Sequence, residues 1–113
     1  MRVFWVAALV AMVALPGWAG PKGMLSGPDI TAALGGKTLT YADGSRQKFA
    51  EDGATIFNNG TESTGHWQVQ GDQYCSVWPP SDHWACYDVA KTDDGGISFA
   101  AGDGSASVGH YTP

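Results

Sequence analysis

The stretch Gly65-His66-Trp67-Gln68-Val69-Gln70-Gly71-Asp72-Gln73-Tyr74-Cys75-Ser76-Val77-Trp78 decides the fold. Two segments of alternating character flank Gly71-Asp72, a turn-forming pair, and that arrangement is a β-hairpin with a two-residue loop. Such a loop pairs Gln70 with Gln73, Val69 with Tyr74, Gln68 with Cys75 and Trp67 with Ser76. The chain has only two cysteines, Cys75 and Cys86. If they face each other across the next strand pair, Tyr74 meets Tyr87, Ser76 meets Ala85, Val77 meets Trp84 and Trp78 meets His83. The hairpin makes Gln68 and Cys75 a hydrogen-bonded pair, so Cys75 meets Cys86 as a non-bonded pair, the closer of the two spacings. The turn and the cysteine pair therefore specify the same register.

Side chains alternate across a strand, so this register sorts the three strands into two faces. Trp67, Val69, Tyr74, Ser76, Trp78, Ala85, Tyr87 and Val89 form a core face. His66, Gln68, Gln70, Gln73, Cys75, Val77, Trp84, Cys86 and Asp88 form the other, mostly polar, which is expected to face solvent with the disulfide as a surface staple.

Outward from this centre, turn formers recur at short intervals: Asp43-Gly44, Asp52-Gly53, Asn59-Gly60, Asp94-Gly95-Gly96 and Gly102-Asp103-Gly104. They separate short segments rich in Thr, Val, Ile, Phe, Tyr and Trp, the mark of an antiparallel meander. Strands are expected near 37–42, 45–50, 54–58, 64–70, 73–78, 84–91, 96–101 and 106–111. The last is weakly marked, because Ser105, Ala106, Ser107 and Gly109 offer little to pack. Ser26 as a cap, Pro28 and Asp29 in the first turn and Gly35-Gly36 as a stop frame one short helix that carries Ile30, Ala33 and Leu34 on one face. Its expected task is to cover an open end or face of the sheet. The fold class is mainly β: a small barrel or strongly curled sheet of about seven or eight strands with one short N-terminal helix.

The segment MRVFWVAALVAMVALPGWA, residues 1–19, has the layout of a secretory signal: Arg2, an apolar run from Val3 to Leu15, a break at Pro16-Gly17 and small residues before the cut after Ala19. The apolar run of about 13 residues is short of the roughly 20 that span a bilayer, so no stable membrane anchor is expected after cleavage. Residues 20–25 read as an unstructured leader and 26–113 as one β-domain, periplasmic or secreted and monomeric. The formal charge is −5, and the basic residues are scattered. Nucleic acid is therefore excluded as a partner.

In an oxidising compartment the isolated cysteine pair is expected to form a disulfide, stabilising a small domain by roughly 3 kcal/mol. The competing metal site of Cys75, Cys86 and His83 follows no recognised zinc spacing. No metal or other cofactor is expected. Nor is catalysis, because His66, His83 and His110 stand without a nucleophile elbow, a metal-binding helix or a phosphate loop. Asn59-Gly60-Thr61 matches a glycosylation sequon, although Asn-Gly is first a hairpin turn. The most ligand-like stretch is Trp78-Pro79-Pro80-Ser81-Asp82-His83-Trp84, which gathers tryptophan, carboxylate and imidazole on a proline-stiffened turn. Trp78 is expected to pack inward. The candidate binding surface is therefore His66, Val77 and Trp84 on the outer face, with Asp82 and His83 beside them.

The pattern G-x-W-x-V-x-G-D-x-x-C, here Gly65, Trp67, Val69, Gly71, Asp72 and Cys75, followed by a second cysteine, resembles that of small exported proteins of Gram-negative bacteria with a disulfide-containing β-domain of unknown function. The likeness covers roughly residues 26–100 and implies the fold but no catalytic role. Ser105-Ala106-Ser107-Val108-Gly109-His110-Tyr111 resembles a loop of periplasmic lysozyme inhibitors, without the lysine that family uses. The expected function is that of a non-catalytic binding or interaction module for an envelope protein or glycan. The alternatives are an inhibitor of a lysozyme or secreted protease and a structural envelope protein.

Overall fold

The computed structural model describes residues 23–113; residues 1–19, expected from sequence to be a secretory signal, lie outside them. The chain order is α1 (Gly27–Leu34), β1 (Lys37–Tyr41), β2 (Arg46–Phe49), β3 (Ala54–Asn58), β4 (Glu62–Gln70), β5 (Gln73–Val77), β6 (Ala85–Lys91), β7 (Ile97–Ala100) and β8 (Ala106–Tyr111). Every strand pairs antiparallel with its neighbour in sequence, and β8 returns to β1 to close the barrel. The seam pairs Leu39 with Tyr111, Thr40 with His110 and Tyr41 with Gly109.

The register of β4, β5 and β6 follows from the turn and the cysteines. Gln70 pairs with Gln73 and Trp67 with Ser76 across the Gly71-Asp72 turn, where Gly71 takes the positive φ such a turn requires. Cys75 and Cys86 are disulfide-bonded, their Cα atoms 4.0 Å apart, the close spacing of a non-hydrogen-bonded pair. The β5–β6 ladder ends at Ser76 and Ala85, short of the expected Val77–Trp84 and Trp78–His83 pairs. The chain there turns through Ser81, whose amide donates to the Trp78 carbonyl at 3.0 Å.

An up-and-down barrel has two ends. The connections β2–β3, β4–β5 and β6–β7 lie at one end together with α1. The connections β1–β2, β3–β4, β5–β6 and β7–β8 lie at the other. Helix α1 plugs its end: Ile30 and Leu34 are completely buried and pack with Leu39, Phe49, Val89 and Ile97. Each such aliphatic side chain contributes about 1.5–3 kcal/mol by leaving water. The helix start differs in detail from expectation. Ser26 makes no capping bond to the helix backbone; its hydroxyl donates to Asp29. The Gly27 amide instead donates to the Asp72 carboxylate at 2.8 Å. The β4–β5 turn thus holds the helix N-terminus against the barrel.

Two expectations are corrected. The leader over residues 20–25 is not unstructured over its described part: Met24 bridges Ala90, the Leu25 amide donates to the Val89 carbonyl, and Leu25 joins the core. Pairing with β6 satisfies its backbone while its side chain fills space beside α1. The outer face of β4–β6 is also less exposed than its polar composition implies. Cys75 is completely buried and Val77 nearly so. Cys75 is central in that face, between Gln68 on β4 and Cys86 on β6, and the Gln70 side chain lies over its sulfur.

Candidate functional site

The inward-facing residues are graded along the barrel. Near α1 they are large and apolar, as at Leu39, Phe49, Val89 and Ile97. Toward the opposite end small residues appear between aromatic ones: Gly65 on β4, Ser76 on β5, Ala85 on β6 and Ser107 on β8. Ser76 and Ser107 leave space between the rings, and the barrel opens there into a cavity of about 620 Å³. Its walls carry the rings of Tyr41, Phe57, Tyr74, Trp78, Tyr87 and Phe99. The rings form two groups, Phe57 meeting Tyr41 and Trp78 at centroid distances of 6.4 Å, and Tyr74 meeting Phe99 edge-on at 5.2 Å and Tyr87 at 6.1 Å. Trp78 is seated over the bare backbone of Gly65, where a Cβ would lie 2.7 Å from its ring.

Gln47, a buried residue of β2, is the polar centre of the floor. The Thr55 hydroxyl donates to the Lys48 carbonyl at 2.8 Å, so it can only accept from Gln47. That orients the amide: Gln47 Nε2 donates to Thr55 at 3.0 Å and to the Tyr74 hydroxyl at 3.1 Å, and Gln47 Oε1 accepts from the Tyr41 hydroxyl at 2.7 Å. Tyr74 is an acceptor in this chain, which leaves its own proton to donate, next to the Ser76 hydroxyl. Trp78 Nε1 donates to that serine at 3.3 Å. Burial pushes the Tyr41 phenol well above the ordinary tyrosine range and raises that of Tyr74 as well, so both stay neutral. Asp43, on the β1–β2 connection, is the one carboxylate of the lining. The Ser45 hydroxyl and amide both donate to it and hold it below the usual carboxylate range.

The residues expected to form a binding surface lie elsewhere. His66 is exposed and pairs with Val77, which is buried. Trp84 is 42% exposed, the most exposed of the large apolar side chains described. It lies just before β6, on the connection that also carries exposed Asp82 and His83, whose amide donates to Ser81. Trp84 therefore shares no ladder position with His66 and Val77. The alternative use of Cys75 and Cys86 with His83 as metal ligands is removed by the disulfide. Among the described residues no group of three or more His, Cys, Asp or Glu is placed to hold a metal ion, and no helix is long and apolar enough to cross a membrane.

Inward packing of Trp78 agrees with the face assignment, but the cavity it lines was not read from the sequence. The available signal was Ser76 and Ala85, small residues on a face otherwise built from Trp67, Tyr74, Tyr87 and Val89. No protein-family model, no curated protein and no solved structure matches this chain.

Proposed function

We propose that the protein is an exported, non-catalytic binding module that takes a small, ring-bearing apolar molecule into the open end of its barrel. The observation that carries this reading is the cavity of about 620 Å³ walled by six aromatic rings above a floor whose amide is fully hydrogen-bonded. A mostly apolar concavity with a few oriented polar groups is the usual form of a small-molecule site. The sole cysteines, joined as a disulfide, support an oxidising compartment.

The test is titration with N-phenyl-1-naphthylamine, an uncharged probe whose fluorescence rises in apolar surroundings. Binding is expected with the wild-type protein. In Ser107→Trp, which places an indole in the cavity mouth, affinity is expected to fall by about tenfold or more, with an unchanged circular dichroism spectrum. Equal binding by that variant would place the ligand outside the cup.

A second reading is favoured by Trp84, exposed beside Asp82 and His83. It makes the β5–β6 connection a contact point for an envelope protein or glycan. Loss of partner capture in Trp84→Ala with an intact cup would support it.

A further inference from the structure

Topology places carboxylates around the mouth of the cup; the α1 end carries them too, at Asp29, Glu51, Asp52, Asp72, Asp93 and Asp94, but mixed there with lysines. Each of the four connections at that end carries an exposed carboxylate on it or at its margin: Asp43 between β1 and β2, Glu62 at the start of β4, Asp82 between β5 and β6, and Asp103 between β7 and β8. The three described lysines lie toward the opposite end, Lys37 opening β1, Lys48 next to last in β2 and Lys91 closing β6. The basic residues at the mouth end are Arg46 and His83. Arg46 alternates with inward Gln47 and so faces outside the barrel, in one outward row with Asn58 and Glu62, which leaves Asp43, Asp82 and Asp103 as the carboxylates of the rim itself; His83 is exposed on its connection. Inside the cavity the Tyr41 and Tyr74 phenols are neutral, and Asp43 is the one carboxylate of the lining, which holds no lysine or arginine.

We propose that the natural ligand is an organic cation, an ammonium carried on an apolar or aromatic body. The proposal rests on reading the open end as a ligand cup. The carboxylates at the mouth raise the local concentration of cations and repel anions. The ring wall of Tyr41, Phe57 and Trp78 then offers an ammonium group the attraction of aromatic quadrupoles in a partly desolvated place. Asp43 sits at the edge of the same wall and supplies the counter-charge. An anionic ligand finds no cationic partner in the lining.

The test compares three probes that share one ring system and differ in charge: 1-naphthylmethylammonium, 1-naphthalenemethanol and 1-naphthoate. Binding to the full purified protein is followed by calorimetry and by the indole N–H resonance of Trp78. The ammonium is expected to bind roughly tenfold more tightly than the alcohol, with the carboxylate weakest. Its advantage is expected to shrink in Asp43→Asn, which keeps the oxygen that accepts from Ser45, and in high salt, which screens the exposed carboxylates. The alcohol binding as well as the ammonium, or the naphthoate binding best, would overturn the charge preference while leaving the cup reading in place. Failure of all three to bind would overturn both.

Discussion

Gly65 has no side chain because Trp78 occupies the place where one would be. A Cβ there would lie 2.5 Å from the Val77 carbonyl and 2.7 Å from the Trp78 ring. Gly65→Ala is therefore expected to cost about 1–3 kcal/mol in urea unfolding, as overpacking does, and to push the indole across the cavity it lines. An unchanged unfolding midpoint would mean that Trp78 is not seated there. Asp94 presents a different single-residue case. The Thr92 hydroxyl, then His110 Nε2 at 3.0 Å and the Gly96 amide, hold its carboxyl at about 2. Because the folded value lies below that of an unfolded chain, whatever stability the site contributes is complete above about pH 4 and is lost as pH falls through about 2. Carbon NMR of the Asp94 carboxyl is expected to give a midpoint near 2 that rises toward the ordinary value in Thr92→Val. A midpoint near 4 in both proteins would remove these hydrogen bonds from the account.

At the scale of elements, Trp67 on β4 and Trp84 on the β5–β6 connection have opposite roles. Trp67 lies edge-on to Phe49 at 5.8 Å, and its Nε1 donates to the Ala50 carbonyl at 2.9 Å, tying β4 to the β2–β3 turn. Trp67→Ala is expected to cost about 3–5 kcal/mol, whereas Trp84→Ala, at an exposed site, should change stability by less than about 1 kcal/mol. Equal losses by chemical denaturation would reverse the inside and outside of this sheet. Much of this arrangement is legible in the sequence. Gly71-Asp72 and the cysteine pair each specify a register, and alternation does the rest for β4 to β6. What alternation cannot give is how far the sheet curves, and so whether inward residues meet or leave a void. Strand β8 illustrates the limit. Its small residues read as poor packing material, yet Gly109 is small because a Cβ would lie 3.0 Å from Leu39 and 3.1 Å from Tyr41 across the seam. The weakness seen in sequence is the condition for close approach of the last strand to the first. The cup escaped for the same reason: its walls come from seven strands that touch across the interior only once the barrel is closed.

For the molecule as a whole, closure leaves no strand with an unpaired edge, which removes the usual route to sheet-to-sheet aggregation. It also sets the two ends of the described chain on the same side as α1, away from the cup: Gly23 accepts from Lys91 at the end of β6, and the Thr112 amide donates to the Thr38 carbonyl. A tether at either terminus would leave the mouth free. The seam has a further consequence for the making of the protein. Its pairs join residues 39–41 to 109–111, so the ring is completed only when β8, the last of the described strands, reaches β1. Until then β1 and β7 are bare edges and the cup has a missing wall. Before that pairing the chain is an open sheet with no enclosed cavity. The cavity is thus a product of the most distant strand pairing in the described chain and exists only once that pairing is made.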